Sequence, residues 1–144
     1  MKTTKMILWG FVLLALTFTA CSQSALLGDW DPMKWTAEES YQMVDGIFIV
    51  PQEGATFTFT CKNYSKTWVS DAQQGGIYLR PQEPQPETPY DFNIIVGDTF
   101  RAEIHDNIFT VTFTPNTAPS SRLVSITVTA GDIFYTFRFA YRNP

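Results

Sequence analysis

The stretch RLVSITVTAGDIFYTFRFAY, residues 122–141, decides the fold. Apolar and polar residues alternate on both sides of Gly131-Asp132, a dipeptide that favours a tight two-residue turn. Before the turn the even-numbered positions from 124 to 128 are apolar, and after it the odd-numbered positions from 133 to 141 are apolar and mostly aromatic. Since side chains alternate between the two faces of a strand, this pattern predicts a long β-hairpin with one inward, aromatic face.

Shorter runs with the same period precede this hairpin from Gly46 onward. A second hairpin is predicted over residues 100–114, with its turn at Asp106-Asn107. Further candidate strands are residues 47–50, 57–61, 67–70, 77–79 and 92–96, and residues 71–76 are predicted to form a turn between two of them. Seven to eight short antiparallel strands with one consistent inward side predict an all-β fold, with two sheets packed face to face as a sandwich.

Two segments depart from the alternation. Residues 36–39 have the capping-box form Thr-x-x-Glu, which would start a short helix through Val44; a strand over residues 34–41 is the alternative. Residues 81–89, PQEPQPETP, are rich in proline and are predicted to form a surface excursion outside the sheets.

Two side chains are assigned to the interior. Cys61 lies on the apolar side of the alternating run that begins at Phe57, so we expect a buried, unreactive thiol. Trp68 follows at the spacing of a neighbouring strand, and we predict that it packs centrally, as tryptophans of β-sandwiches do. On the last strand, Phe134, Arg138 and Arg142 share the outer phase, where a partner could dock.

The chain begins with a segment typical of an export signal. Lys2 and Lys5 precede an apolar run over residues 6–18, which is shorter than the about 20 residues that a membrane-spanning helix needs. Its end, Phe18-Thr19-Ala20-Cys21, resembles the lipobox of bacterial lipoproteins, with phenylalanine where leucine is usual. The resemblance implies cleavage before Cys21 and acylation of its thiol; ordinary secretory cleavage, for instance after Ser24, is the alternative.

These features divide the chain into a signal peptide (1–20), a tether (21–28) and a single β-sandwich domain (29–144). Several acyl chains on Cys21 would hold that domain at a lipid bilayer. Removal of the signal peptide takes away two of the ten basic residues and none of the 14 acidic ones, which leaves a net charge of −6. Because phosphate contacts need clustered lysines and arginines, nucleic acid is excluded as an expected partner.

Several motifs from Gly46 to the C-terminus carry a resemblance. They are IVP (49–51) with Gly54, FTFTCKNY (57–64) before Trp68, and PNT (115–117) leading to ITVTAGD (126–132). In these motifs the chain resembles the BACON family of immunoglobulin-like domains, which recur in lipoproteins and carbohydrate-active proteins of the Bacteroidetes. The resemblance implies an immunoglobulin-like β-sandwich and a role in carbohydrate binding or as a spacer. The chain departs from the family at its end, where FAYR (139–142) lacks the usual glutamine.

The sequence contains no recognisable catalytic apparatus. The single histidine, His105, abuts a predicted turn, and Glu38 and Glu39 are sequence neighbours that cannot oppose each other across a cleft. No spacing of His, Cys, Asp or Glu suggests a metal site, and no glycine-rich loop suggests a cofactor. We therefore expect a protein that is not an enzyme and has no cofactor, and keep a small hydrolase as a third hypothesis.

Exposed aromatic side chains are the candidates for ligand contact, because sugar rings stack on them. The candidates in predicted loops or edges are Trp30, Trp35, Tyr64 and Tyr90. The expected function is a membrane-anchored, non-catalytic lipoprotein module that binds carbohydrate or serves as an accessory in an envelope assembly. The alternative is a structural spacer or adhesion subunit that pairs through its edge strands. Since Ser22 and not aspartate follows Cys21, and no acidic run follows either, we expect an outer-membrane lipoprotein that faces the periplasm.

Overall fold

The structure, a computed structural model, describes residues 30–82, 93–116 and 123–142. Within these residues every regular element is a strand. The strands are β1 (Trp35–Ala37), β2 (Met43–Val44), β3 (Ile47–Val50), β4 (Ala55–Cys61), β5 (Trp68–Gln74), β6 (Ile77–Leu79), β7 (Ile94–Val96), β8 (Phe100–His105), β9 (Ile108–Phe113), β10 (Val124–Thr129) and β11 (Phe134–Tyr141). One sheet has the order β1-β4-β9-β8-β7, and the other has the order β2-β3-β11-β10-β5-β6. The predicted all-β sandwich is confirmed.

Both predicted hairpins are present. β10 and β11 pair antiparallel up to Thr129 and Phe134, and the N–H of Ala130 donates to the carbonyl of Ile133 at 3.1 Å. The turn between them places Gly131 at a φ of +101°, a conformation that only glycine adopts without strain. β8 and β9 form the second hairpin at its predicted turn. These local pairings fix which side chains face inward on four of the strands.

The structure differs from the prediction in the number and direction of its strands. It has eleven strands and not seven to eight, because pieces as short as β1 and β2 show no periodicity. One pair, β3 with β11, is parallel, whereas only antiparallel pairs were predicted. This pair forms because the segment 38–42 carries the chain from the edge of one sheet to the edge of the other. Neither a helix nor a long strand forms over residues 34–44.

The turn predicted over residues 71–76 is shorter than expected and is confined to Gly75-Gly76, because β5 continues through Gln74. The register with β10 shifts by one residue, so that Thr127 lies opposite Asp71 and Val128 lies opposite Val69. Ser70 is the extra residue of this β-bulge. A bulge reverses the phase of the alternation, and that reversal hid the strand from the periodicity.

The core is a layer of aromatic rings between the two sheets. Phe59 of β4 lies at its centre, with its ring centroid 4.4 Å from that of Phe137 and 5.0 Å from that of Phe48. Phe109 and Phe139 complete this layer and are fully buried. Cys61 is buried beside them as a free thiol, as predicted. The inward aromatic side of the sequence therefore holds the sandwich together.

Candidate functional site

Trp68 lies on the outer surface of the six-stranded sheet, where 36% of it is exposed, so its predicted place in the core was wrong. Its neighbour Val69 points into the core instead, opposite Val128. The physical reason is the bulge at Ser70. If the alternation continued unbroken backwards from the buried Ala72 through Ser70, Trp68 would point inward, whereas the bulge turns it outward.

Trp68 borders a groove of about 540 Å³ on this outer surface. We call it the Trp68 groove, and its lining residues are Trp68, Val69, Ser70, Tyr78, Arg80, Pro81, Thr129 and Gly131. Tyr78, on the edge strand β6, is 55% exposed. The groove has the size of a small-molecule site and combines two aromatic side chains with hydroxyl groups and one guanidinium group.

The sheet extends the exposed aromatic surface beyond the groove. Trp68 of β5 lies directly opposite Thr129 of β10, and Thr129 lies directly opposite Phe134 of β11. Phe134 is exposed, as predicted from its outer phase. Two residues further along these strands, Thr127 and Thr136 lie opposite each other on the same face, with their hydroxyls 3.2 Å apart. Trp68, Tyr78 and Phe134 are therefore exposed aromatic side chains on one face of this sheet, with Thr129 between Trp68 and Phe134.

The residues predicted from the sequence as ligand contacts lie elsewhere. Trp30 is 52% exposed, and Tyr64 donates its hydroxyl to the carbonyl of Asp31 at 2.6 Å, so Trp30 and Tyr64 share one end of the sandwich. Trp35 is half-buried, with its ring 5.1 Å from that of Phe137. The predicted Tyr90 and the predicted lipidation site Cys21 both lie outside the described residues. Neither Trp30 nor Tyr64 lines the Trp68 groove.

A second groove lies at the opposite side of the molecule, along the edge of the five-stranded sheet. Its volume is about 560 Å³. We call it the edge groove, and its lining residues are Ser40, Tyr41, Gln42, Ile49, Pro51, Gln52, Glu53, Ala55, Thr56, Phe57 and Arg142. It arises because β1 pairs only with residues 59–61 of β4, so that residues 55–58 have no neighbouring strand on that side among the described residues.

The ring of Tyr41 partly fills this gap between the sheets. It packs on Phe57 with centroids 4.8 Å apart, and its hydroxyl oxygen accepts the backbone N–H of Thr58 at 3.0 Å. In β4, Thr56 shares the orientation of Thr58, since backbone groups alternate in direction along a strand. The backbone of Thr56 therefore faces the open side, and a side chain substitutes for the missing strand at Thr58 only.

The titratable side chains considered from the sequence lie at exposed positions. His105 is exposed at the end of β8, and Glu38 and Glu39 are exposed after β1. In the described part of the chain, no group of three or more His, Cys, Asp or Glu side chains could hold a metal ion. Over the same residues, no helix has the length and apolar character needed to cross a membrane.

Comparison with solved structures supports the fold. The chain is similar to the NMR structure of a protein from Bacteroides thetaiotaomicron, with a TM-score of 0.65 and 28% identity, over 86% of this chain and 98% of that chain. A match to the trigonal form of titin M4 has a TM-score of 0.43 and 8% identity, over 80% of this chain and 99% of that chain. No family model and no curated protein matches the chain.

Proposed function

We propose that this chain is a non-catalytic module that binds a glycan in the Trp68 groove. The observation that carries the proposal is the position of Trp68 and Tyr78, two exposed aromatic side chains that border one concave surface of a rigid sheet. Sugar rings present apolar faces that stack on aromatic rings, and their hydroxyl groups need polar partners close by. Ser70 in the same groove donates its hydroxyl to Asp71 at 3.0 Å and keeps its oxygen as an acceptor for a ligand, whereas the Thr129 hydroxyl is bonded within the turn at Gly131.

Arg80 adds a positive charge to the groove of an otherwise acidic protein. A guanidinium group favours carboxylate or sulfate ligands, which it binds through two parallel hydrogen bonds. The preferred glycan is therefore one that carries uronic-acid or sulfate groups, as an acidic polysaccharide does. Neutral glycans are expected to bind more weakly.

A glycan array probed with the full chain in mild detergent tests this proposal, followed by titration calorimetry on the best acidic hit. Trp68→Ala is expected to weaken binding by about tenfold or more, because it removes a stacking surface. Trp30→Ala is the matched control, since it removes an exposed tryptophan at a different place. If Trp30→Ala and not Trp68→Ala abolished binding, the ligand site would be the one predicted from the sequence. A silent array would favour a structural spacer or adhesion subunit.

We further propose that the module is a lipoprotein of the bacterial outer membrane, anchored by acylation of Cys21 and facing the periplasm. The leader and the lipobox-like residues support this proposal. The motifs that resemble the BACON family support membership of that family, which we propose as well. Mass spectrometry of the native protein and membrane fractionation of Cys21→Ala test the anchor. An unmodified thiol at position 21 would contradict it, and removal of the protein by protease on intact cells would contradict the periplasmic orientation.

A further inference from the structure

The edge of β4 is incomplete in a way that suits an added strand. Residues 59–61 are paired with β1, and the next residues, 55–58, face the edge groove without a strand partner in the described part of the chain. An unpaired edge presents backbone N–H and C=O groups that another extended chain can pair with. Since Tyr41 already occupies the N–H of Thr58, the free part of this edge is residues 55–57, which at about 3.3 Å per residue has room for about three residues of an added strand.

The edge groove also provides a binding site for the side chains of such a strand. Alternate side chains of an added strand point between the two sheets, where Tyr41 and Phe57 line the groove. Tyr41 shows that this edge accepts such a partner, because its hydroxyl oxygen accepts a hydrogen bond from the N–H of Thr58 as the carbonyl of a neighbouring strand would. The groove therefore selects apolar residues at every second position of the incoming chain.

The charges around the groove decide between a second copy and another partner. Glu53 lies at one end of the open edge, and Glu38 and Glu39 lie at the other end, where β1 stops. Arg142, the basic residue of the groove lining, donates its side-chain N–H to the carboxamide oxygen of Gln42. A second copy would bring carboxylates against carboxylates, whereas a segment with lysine or arginine at both ends would find opposite charges.

We propose that the β4 edge is an acceptor site for an extended segment of another protein, with alternating apolar residues flanked by basic ones. The segment adds to the five-stranded sheet in line with β1, and its backbone pairs with Thr56. The site lies away from the Trp68 groove, so this proposal stands independently of glycan binding. It gives the module a protein partner of defined chemistry within an envelope assembly.

The test uses the terminally blocked peptide Lys-Val-Thr-Val-Thr-Lys and the full chain in mild detergent. Backbone amide exchange followed by NMR is expected to show new protection at Thr56, and calorimetry to show binding that weakens as salt rises. A peptide with glutamate in place of both lysines is expected to bind about fivefold or more weakly. Equal binding of the two peptides would overturn the proposal. So would protection at Thr136 and not at Thr56, since β3 pairs only with residues 139–141 of β11 and leaves Thr136 without a partner on that side in the described part of the chain.

Thr56→Pro removes the backbone N–H that faces the open side, without removing a hydrogen bond to β9. It is expected to weaken binding of the basic peptide by about tenfold, because it removes a donor and adds a ring at the edge. Thr56→Val is the matched control, since both variants lose the contact of the Thr56 hydroxyl with that of Thr112 at 3.1 Å. Unchanged binding in Thr56→Pro would refute the site.

Two further measurements keep the test decisive. Methylation of the backbone amides of the peptide's residues that face β4 prevents strand pairing without altering the protein, and it is expected to abolish binding even if Thr56→Pro folds poorly. Sedimentation of the chain without peptide is expected to show no association through this edge. Self-association that Thr56→Pro abolishes would replace the proposed partner with a second copy.

Discussion

The side-chain amide of Gln74 joins the two sheets at one end of the sandwich, and replacing it tests that joint. Gln74 belongs to the six-stranded sheet and is only 3% exposed. Its Nε2 donates to the hydroxyl of Thr99 at 2.7 Å, and its Oε1 accepts the backbone N–H of Asp98 at 2.8 Å. Both partners lie in the turn between β7 and β8 of the other sheet. Gln74→Leu removes both hydrogen bonds and keeps a similar side-chain volume.

The expected loss is about 1–3 kcal/mol in the free energy of unfolding. Each net hydrogen bond contributes about 0.5–1.5 kcal/mol, and the groups left behind lose a partner in a poorly hydrated place. Asp98 is exposed and Thr99 is half-buried, so water replaces part of this bonding and limits the loss. At about 5 °C per kcal/mol for a domain of about 100 residues, the melting temperature falls by about 5–15 °C.

Thermal and urea unfolding followed by circular dichroism measures this loss. Gln73→Leu is the matched control, because it is the same substitution on the adjacent, exposed position of the same strand. The control is expected to stay within about 0.5 kcal/mol of the natural protein. If Gln74→Leu were as stable as Gln73→Leu, the amide would not join the sheets and the reasoning would be refuted.

The same unfolding assay checks four more substitutions. Phe59→Ala removes the central ring of the core and is expected to destabilise by about 3–5 kcal/mol; a loss below about 1 kcal/mol would contradict its central position. Gly54→Ala is expected to destabilise by more than about 2 kcal/mol, since its φ is +85° and the added Cβ would lie 2.4 Å from the carbonyl oxygen of Phe113. Gly46→Ala is the control, because Gly46 has a φ of +76° but open space around the added Cβ, and it should lose only about 1 kcal/mol. Tyr141→Phe removes a hydroxyl that donates to a backbone carbonyl at 2.7 Å and should lose about 1 kcal/mol, so an unchanged stability would show that this bond adds nothing.

Local patterns were sufficient to predict the hairpins and the composition of the core. The turn at Gly131-Asp132 and the alternation on both sides of it determine the pairing of β10 with β11, because all the interacting residues lie within one short stretch. The inward placement of Phe59 and Cys61 followed from the same period. These are the parts of a β-sandwich that do not depend on distant segments.

The two grooves could not be predicted, because each depends on contacts between distant parts of the chain. The edge groove exists because β1 ends at Ala37 and the chain then crosses to the other sheet, and only the fold shows which half of β4 this leaves unpaired. The burial of the candidate Trp35 could not be predicted either, because it depends on packing of its ring against Phe137 of the last strand. Periodicity predicts on which face of a strand a side chain lies. Which residues pack against that face depends on the tertiary structure.

The bulge in β5 links the outer groove to the joint between the sheets. Gln74 and Ala72 point inward after the bulge, and Val69 points inward before it, so Ser70 is the residue at which the phase changes. In an unbroken alternation over residues 68–74 a buried Gln74 would place Trp68 in the core, and the bulge at Ser70 prevents this. With it, one strand supplies both a buried amide and an exposed tryptophan, as bulges do where they redirect a side chain. The exposure of Trp68 is therefore imposed by the register of β5 on β10, which ties the proposed glycan site to the most extensively paired part of the six-stranded sheet.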